Sequence, residues 1–374
     1  MSKVQFYKHH LGPAERAAVD EVLQSLFLTT GPRTGEFEEA LGELLGVPHV
    51  VGVTSCTIGL FLALKAADVG PGDEVITTPM TFIATPNAIL HTGATPAFVD
   101  VDERTGNIDL ERVATAITPR TKAIMPVHLY GQMVDMRALR SLADEHKLVI
   151  IEDAAHAVEA ERDGVRPGQL GDFATFSFYA TKNITCGEGG AITTRDPEMN
   201  ARLRALRLHG MTKGAYQRYA KEYRHWDMTE LGFKANMSDL SAALLLPQLG
   251  GIEERLQRRE AVAAMYDAGF AGDDRVDTPS IDEGARSSRH LYTIWVASER
   301  RDEILSELQA KDIGVAVNYR AVHLLEYYRR EHGGARGQFP NAERIGDRTI
   351  SLPFYPAITD EEVQRVIETV RSVV

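Results

Sequence analysis

Short apolar runs alternate with helical patterns through the first half of the chain, and this alternation restricts the fold more than any other feature. The strand-like runs lie at residues 50–53, 74–77, 96–99, 123–127 and 148–151, and they continue at 173–178 and 191–194. Helical patterns at residues 86–90, 110–116 and 136–146 separate them. Strands that alternate with helices form parallel sheets. We therefore predict an α/β fold with a mostly parallel central sheet and helices on both faces.

After about residue 250 the pattern changes to segments that do not fit the same sheet. A long polar helix is predicted at 252–270, followed by a strand at 291–296, a helix at 303–311, a strand at 314–319 and a final helix from residue 360. With 374 residues, of which 44% are hydrophobic, the chain can bury more than one core. We predict a large domain at residues 11–250 and a small α+β domain at 251–374, with residues 1–10 packed beside the small domain.

Asp153 follows one predicted strand and Lys182 follows another. In α/β proteins the ligand-binding and catalytic residues lie outside the carboxyl ends of the strands. An enzyme that uses pyridoxal phosphate (PLP) needs a lysine to hold the cofactor as a Schiff base and a carboxylate to keep its pyridine nitrogen protonated. The pair therefore predicts a PLP site, although a solvated lysine and a turn-capping aspartate are the commoner roles of these residue types. Gly187, Gly189 and Gly190 favour the PLP site, because glycines let the backbone approach a ligand closely.

Composition and charge disfavour several other classes of protein. The net charge of −12 argues against nucleic acid as a partner. No apolar stretch approaches the roughly 20 residues needed to cross a bilayer, and the first residues lack an apolar signal region, so we expect a cytoplasmic protein without a membrane partner. The two cysteines, Cys56 and Cys186, give no disulfide framework. Metal binding has no support, since the twelve histidines are scattered and no Cys-x-x-Cys occurs.

Three motifs make the prediction more specific. They are Glu-Asp-Ala-Ala-His at 152–156, Ser-Phe-x-x-x-Lys-Asn-Ile-Thr at 177–185 and Gly-Glu-Gly-Gly at 187–190. In this order they resemble the nucleotide-sugar aminotransferases of the DegT/StrS type, which are PLP enzymes with the aspartate aminotransferase fold (PLP fold type I). Further matches to that family lie along nearly the whole chain, at residues 28–32, 53–57, 126–131, 231–239 and 351–356. Within the family, four segments are most similar to the branch that makes UDP-4-amino-4-deoxy-L-arabinose. They lie at residues 55–57, 182–186, 232–236 and 318–323, the last of which reads Asn-Tyr-Arg-Ala-Val-His.

The resemblance implies roles for the residues around the cofactor. Lys182 would hold PLP and then carry the substrate proton, while Asp153 would pair with the pyridine nitrogen. His156 would lie beside the phenolic oxygen of PLP, although a histidine that caps the following helix is the alternative. The other cofactor contacts would come from the phosphate-binding residues Ser55, Cys56 and Thr57, from the hydroxyl of Ser177 and from the stacked ring of Phe82.

The segment at residues 55–57 lies between a predicted strand and a predicted helix. Backbone N–H groups and the positive end of the helix would therefore face a phosphate group there. Cys56 stands where the family often has glycine, so its side chain must point away from the phosphate. Thr57 could equally serve as the N-cap of the helix.

The resemblance also implies a homodimer with shared active sites. Residues 232–236 would reach into the neighbouring subunit through Lys234 or Asn236, in contact with the PLP phosphate or the substrate. Further substrate contacts are expected from Thr30, Arg218, Tyr319 and His323. Packing between domains is the alternative for the last two residues, and a solvated helix face is the alternative for the basic run that contains Arg218.

These implications define an expected reaction. Glutamate would donate its amino group to a nucleotide-linked keto sugar, and the most similar branch favours a UDP-4-keto sugar. Amination at C3 and a dTDP-linked sugar are the alternatives. Dehydratases of the same fold carry a histidine in place of the lysine, so Lys182 argues against that chemistry. A regulatory protein that binds PLP would usually carry a DNA-binding module, for which the chain offers no basic recognition segment.

Overall fold

The structure, a computed structural model, describes residues 3–211 and 225–374. Its strands are β1 (His49–Val53), β2 (Glu74–Thr77), β3 (Thr95–Phe98), β4 (Thr121–Ile124), β5 (Val149–Asp153), β6 (Glu161–Arg162), β7 (Phe173–Ser177), β8 (Gly190–Thr194), β9 (Ala285–Arg286), β10 (Thr293–Trp295) and β11 (Thr349–Ser351). Its α-helices are α1 (Pro13–Leu23), α2 (Pro32–Leu45), α3 (Cys56–Ala66), α4 (Ala84–His91), α5 (Leu110–Ala116), α6 (Met136–His146), α7 (Pro197–Leu206), α8 (Asp239–Gly250), α9 (Ile252–Phe270), α10 (Arg301–Ala310), α11 (Glu326–His332), α12 (Pro340–Arg348) and α13 (Asp360–Val373). No helix within these ranges is both long and apolar enough to cross a membrane.

Side chains at the helix N-termini explain where several helices begin. Asp109, Asp135 and Asp196 each accept hydrogen bonds from backbone amides in the first turn of α5, α6 and α7. Thr359 and Glu362 form a capping box at the start of α13. Such caps satisfy amides that have no partner inside the helix. The helix starts are therefore set by local sequence.

Seven of the described strands form one sheet in the order β1-β8-β7-β5-β4-β2-β3, and the other four form the pairs β6–β9 and β10–β11. Neighbouring strands from β7 to β3 are parallel, and β8 is antiparallel to both β7 and β1. The predicted mostly parallel sheet is confirmed. The parallel strands all end at one edge of the sheet, and β8 begins at that edge.

Apolar layers cover both faces of this sheet. On one face α2, α6 and α8 bury residues such as Leu41 together with Ile76 of β2. On the other face α3, α4 and α7 bury residues such as Leu60 together with Val75 of β2. Val75 and Ile76 are adjacent and point to opposite faces, as a strand requires. The predicted helices on both faces are confirmed.

A further apolar core lies in the C-terminal part of the chain. It is enclosed by α9, α10, α13 and the β10–β11 pair, and Val4 of the N-terminal segment belongs to it. The amide of Val4 donates a hydrogen bond to the carbonyl of Asp312 at 2.9 Å, and the carbonyl of Val4 accepts one from Gly314 at 2.8 Å. The N-terminal segment thus packs on this core, while the domain boundary near residue 250 stays a prediction.

Residues 314–319 differ from the predicted strand. Ala316 forms a β-bridge with Ser351, but Asn318 and Tyr319 turn to line the cavity described below. The sequence patterns also did not predict α7, α8, α11 and α12. α8 shows why, because apolar residues extend around much of its circumference and leave no polar face to reveal a helical period.

Candidate active site

A cavity of about 550 Å³ opens at the edge of the sheet where the parallel strands end. Most of the predicted site residues line it, although they come from distant parts of the chain: Ser55, Cys56, Thr57, Phe82, Asp153, His156, Ser177, Lys182 and Tyr319. β5 ends at Asp153 and β7 ends at Ser177, while β1 ends two residues before Ser55. The parallel sheet therefore brings together residues that the sequence indicated separately.

The loop between β1 and α3 presents a helix N-terminus to the cavity. α3 begins at Cys56, and the Ser55 hydroxyl caps it by accepting a hydrogen bond from the amide of Ile58 at 3.2 Å. The N-cap is therefore Ser55, and the alternative that Thr57 caps the helix is wrong. A Cβ atom at Gly190 would lie 2.5 Å from the amide nitrogen of Cys56, so glycine is needed for β8 to approach this loop. Free amides at a helix N-terminus bind anions, and the loop fits a phosphate group.

The side chain of Cys56 turns inward beneath this loop. Its Sγ lies 3.4 Å from Oγ1 of Thr175 and 4.0 Å from Oδ1 of Asp153. Burial raises the pKa of the Cys56 thiol, and the nearby Asp153 carboxylate raises it further. Cys56 is therefore a protonated packing group under the loop and leaves the helix amides open.

Asp153 is a carboxyl group held almost out of contact with water, with 6% of its surface exposed. The Thr85 hydroxyl donates to its Oδ2 at 2.7 Å, and the amide of Ala155 donates to its Oδ1 at 3.2 Å. Burial raises the pKa of Asp153, and these two hydrogen bonds with the charge of Lys182 offset part of that rise. A carboxylate so poor in cationic partners is suited to bind a protonated ring nitrogen.

Lys182 lies five residues after the end of β7 and lines the same cavity. Separation from bulk water lowers the pKa of Lys182 to about 8, although Cys56 and Asp153 oppose this shift. Its Nζ lies 3.5 Å from Nε2 of His290. With this pKa a substantial fraction of the amine is neutral near physiological pH, as a nucleophile and a general base both require.

His156, Tyr319 and Phe82 form another wall of the cavity. Nε2 of His156 lies 3.1 Å from the Tyr319 hydroxyl, and the Phe82 ring, 53% exposed, lies 5.8 Å from the Tyr319 ring between centroids. Burial lowers the pKa of His156 well below its usual value, so the ring is neutral. Its Nδ1 is buried without a hydrogen-bond partner among the described residues. Turns follow His156, so the alternative that it caps a helix is wrong.

The sequence analysis gave no site role to His290 or to Asn318, although Asn318 begins the matched segment at 318–323. Asn318 lines the cavity, and the His290 ring lies 4.6 Å from the His156 ring between centroids. His290 reaches Lys182 from more than a hundred residues away along the chain. The signal that the sequence offers is its position directly before the predicted strand at 291–296, which is too common a position to single out one histidine.

Lys234, Asn236 and Thr30 form a group outside the residues that line this cavity. Lys234 Nζ donates to Oδ1 of Asn236 at 2.6 Å, and Nδ2 of Asn236 donates to the Thr30 hydroxyl at 2.7 Å. The Thr30 hydroxyl donates in turn to the carbonyl of Met237 at 2.6 Å. Lys234 is exposed. The role of Lys234 or Asn236 in a neighbouring subunit and the substrate contact of Thr30 stay predictions.

The structure places His323 away from the cavity, which corrects the expected substrate contact. His323 is 1% exposed, its Nε2 lies 3.1 Å from Oε1 of Glu343, and its ring packs against Phe339. Burial lowers the pKa of His323 even though Glu343 favours the charged form. Both contacts lie within residues 251–374, so His323 is a packed side chain there, and the alternative of packing between domains stays a prediction. Arg218 lies outside the described residues.

Comparison with known proteins identifies the family. Residues 10–371 match the DegT/DnrJ/EryC1/StrS aminotransferase family. The spore coat polysaccharide biosynthesis protein SpsC of Bacillus subtilis (strain 168) is 44% identical in an alignment of 370 residues that covers 97% of this chain and 95% of SpsC. DesV from S. venezuelae, solved in complex with a ketimine intermediate, superimposes with a TM-score of 0.92 at 38% identity and covers 100% of this chain and 98% of its own. Spr1654 of Streptococcus pneumoniae, assigned as a sugar aminotransferase and solved in its PLP form, gives a TM-score of 0.93 at 34% identity over 99% of this chain and 98% of its own.

The chain belongs to the DegT/DnrJ/EryC1/StrS aminotransferase family. It is therefore an aminotransferase of PLP fold type I, and PLP is its cofactor. The cavity fits this group on its own chemistry, because a helix N-terminus, a buried carboxyl, an amine of lowered pKa and the partnerless Nδ1 of His156 surround one space. The resemblance that the motifs gave is confirmed at the level of the family.

Proposed function

We propose that this enzyme moves an amino group from glutamate to a nucleotide-linked keto sugar, with a UDP-4-keto sugar as its acceptor. The observation that carries the proposal is the placement of Lys182 and Asp153 in one cavity with the phosphate-binding start of α3. The relatives support a sugar as substrate, since SpsC belongs to polysaccharide biosynthesis and Spr1654 is assigned as a sugar aminotransferase. The UDP group and the C4 position rest on the motif resemblance alone. The free thiols of Cys56 and Cys186 suit a reducing compartment, and we place the reaction in the cytoplasm.

PLP supplies, when bound, an electron sink that acidifies the carbon–hydrogen bond beside an attached amino group. Lys182 would hold the cofactor. Once displaced by substrate, it would move the proton between Cα of the substrate and C4′ of the cofactor. Asp153 would keep the ring nitrogen protonated, because its own cationic partners are few. Ser55, Thr57 and the amides of α3 would bind the phosphate, and Ser177 would add a hydroxyl.

Phe82 and His156 would fix the orientation of the ring. The exposed face of Phe82 offers an apolar surface on which a flat ring can stack. The neutral ring of His156 offers Nδ1 to the phenolic oxygen of the cofactor. Tyr319, which is hydrogen-bonded to His156, would contact the substrate from the side of the cavity on which His156 lies.

We also propose that the enzyme is a homodimer whose subunits share their active sites. Leu28, Met228 and Leu231 are 49%, 55% and 80% exposed, and along the chain they lie close to Thr30 or to the pair Lys234 and Asn236. A second copy of the chain would cover these apolar side chains and receive Lys234 or Asn236 in its own cavity.

The dimer is tested by Leu231→Asp, which should yield monomers in sedimentation and abolish amino transfer. Ile281→Asp, at an apolar residue that is 42% exposed elsewhere on the chain, is the matched control and should remain a dimer. A monomeric but fully active Leu231→Asp variant would refute the shared site.

The reaction is tested on the PLP-loaded protein through the absorption of the cofactor. Glutamate should convert the visible band to that of pyridoxamine phosphate, and a UDP-4-keto pentose should restore it. If a UDP-linked N-acetylated 6-deoxy keto sugar or a dTDP-linked keto sugar restores the band and the pentose does not, the acceptor is wrong and the class of reaction stands. If glutamate leaves the band unchanged while another amino acid converts it, the donor is wrong.

A further inference from the structure

A chain of polar contacts leads from Lys182 away from the cavity. Nζ of Lys182 lies 3.5 Å from Nε2 of His290, and Nδ1 of His290 lies 3.2 Å from Oδ1 of Asn183. Nδ2 of Asn183 donates to Oε2 of Glu159 and to the carbonyl of Ser288, each at 2.8 Å. Asn183 belongs to the motif at residues 177–185, but no expected cofactor contact accounts for Asn183, His290 or Glu159.

Arg259 fixes the outer end of this chain of contacts. Its side chain on α9 is fully buried, it pairs with the Glu159 carboxylate, and its Nε donates to the carbonyl of Ser288 at 3.3 Å. The Glu159 carboxylate therefore has the Arg259 guanidinium as its ion-pair partner. A buried ion pair with partners this close has little freedom to rearrange.

The contacts decide which nitrogen of His290 carries the proton. The Glu159 carboxylate and the Ser288 carbonyl are acceptors only, so the NH₂ group of Asn183 must face them. Oδ1 of Asn183 then faces His290, and Nδ1 of His290 must donate to it. Nε2 is left with a lone pair directed at the amine of Lys182.

We propose that His290 is a positioning residue for Lys182, whose amine donates a hydrogen bond to the Nε2 lone pair and is held at the cavity when it is not bonded to the cofactor. The inference rests on the proposed role of Lys182. His290 would be the partner that fixes the position of the long, flexible Lys182 side chain. Lys182 would return to this position between the two halves of the reaction. The pair Glu159–Arg259 and the amide of Asn183 act through His290 by holding its tautomer.

The charges around His290 keep it in the neutral form that the role needs. Burial lowers the pKa of His290 well below its usual value, and the charges of Lys182, His156 and Arg259 lower it further. The titratable groups that face Lys182 from other elements are Cys56, Asp153, His156 and His290 itself. His290 therefore accepts a hydrogen bond throughout the pH range in which Lys182 titrates.

The test compares His290→Gln, which keeps an acceptor near the position of Nε2, with His290→Met, which has similar length and no comparable acceptor. Lys182 is labelled with acetic anhydride in the apoprotein from pH 6 to 10, and the extent of labelling is read from the Lys182 peptide by mass spectrometry. Loss of the acceptor should lower the pKa of Lys182 by about one pH unit in His290→Met, because a hydrogen bond favours the charged amine. His290→Gln should stay within about a third of a unit of the wild type.

An equal shift of the Lys182 pKa in His290→Met and His290→Gln, or no shift of that pKa in either variant, would overturn the proposal. Labelling requires no cofactor, so it can fail independently of the proposed reaction. Circular dichroism of each apoprotein separates a local effect from misfolding.

The tautomer is tested separately by ¹⁵N NMR of histidine-labelled apoprotein, with the His290 signals assigned through their absence in His290→Gln. The wild type should show a protonated Nδ1 and an unprotonated Nε2. Asn183→Leu removes the acceptor and should move the proton to Nε2. A protonated Nε2 in the wild type would refute the proposal whatever the labelling experiment gives.

Discussion

The cavity edge of the large sheet and the core around α9, α10 and α13 are both well buried, but they bury opposite kinds of side chain. At the sheet edge, Asp153, His156 and Lys182 lose water without gaining a full set of partners, and their pKa values shift accordingly. In the C-terminal core, Leu308 and its neighbours are apolar and fully buried. The first arrangement costs folding free energy and creates reactivity, whereas the second supplies folding free energy. Substitutions in the two regions should therefore separate activity from stability.

Lys182→Ala is expected to cause the largest loss of activity. Amino transfer in a single turnover with glutamate should fall by at least about 10³-fold, because the described cavity residues include no other amine. The melting temperature of the apoprotein should not fall, since the lost amine was poorly solvated. Lys65→Ala, on α3 and outside the cavity lining, is the control and should keep full activity. An active Lys182→Ala enzyme would remove the basis of the proposed function.

Leu308→Ala should produce the opposite pattern. Its side chain is fully buried in the C-terminal core, and truncation should lower the free energy of unfolding by about 2–5 kcal/mol. The rate per folded molecule should not change. Leu305→Ala, on the same helix and only partly buried, should cost less. Urea denaturation and active-site titration check the two effects, and a loss of rate in the folded variant would contradict the separation.

Asp153→Asn should lower amino transfer on the order of 10²-fold, because an amide cannot hold a proton on the ring nitrogen. It should also change how stability depends on pH. The folded state raises the pKa of Asp153, so the wild-type apoprotein binds this proton more tightly than the unfolded chain and loses stability as pH rises from 4 through the raised value. The variant should lack this loss. The free energy of unfolding of the two apoproteins, measured from pH 4 to 8, tests this prediction. Parallel curves for the wild type and Asp153→Asn would contradict it.

His323→Leu should have the smallest effect on activity. The structure holds His323 against Glu343 and away from the cavity, so the rate should stay within about twofold while stability falls by about 1–3 kcal/mol. His156→Leu, which changes a cavity histidine in the same way, should lose most of the activity. Equal losses of activity in the two variants would show that His323 does act in the site.

The segment at residues 318–323 shows that two residues of one motif can face different surroundings. Tyr319 and His323 were expected to contact substrate for the same reason. The structure brings Tyr319 to His156. A single 3-10 turn at Val322–Leu324 then directs His323 into the interior against Glu343. A motif gives the order of residues, but one turn of backbone decides which of them face a cavity.

Local interactions explain the elements that the sequence predicted well. α6 and α9 begin and end at the predicted residues. The bounds of α6 follow from its amphipathic spacing and from the Asp135 cap, whereas α9 begins without a side-chain cap. Lys182 and Asp153 could be found because each follows a recognisable strand and the carboxyl ends of parallel strands share one edge. α8 could not be found, since a helix that is apolar on most sides carries no period.

The sequence by itself determined the class of fold, the family and the residues at the strand ends, because strand and helix periods, helix caps and strand-end positions are properties of neighbouring residues. The tertiary structure alone decided that His290 meets Lys182, that Cys56 packs against Thr175 and that His323 faces Glu343. These contacts join residues from separate elements, and their geometry depends on how whole layers pack. Burial, which sets the pKa values of the site, is likewise a property of the packed molecule and of no single segment.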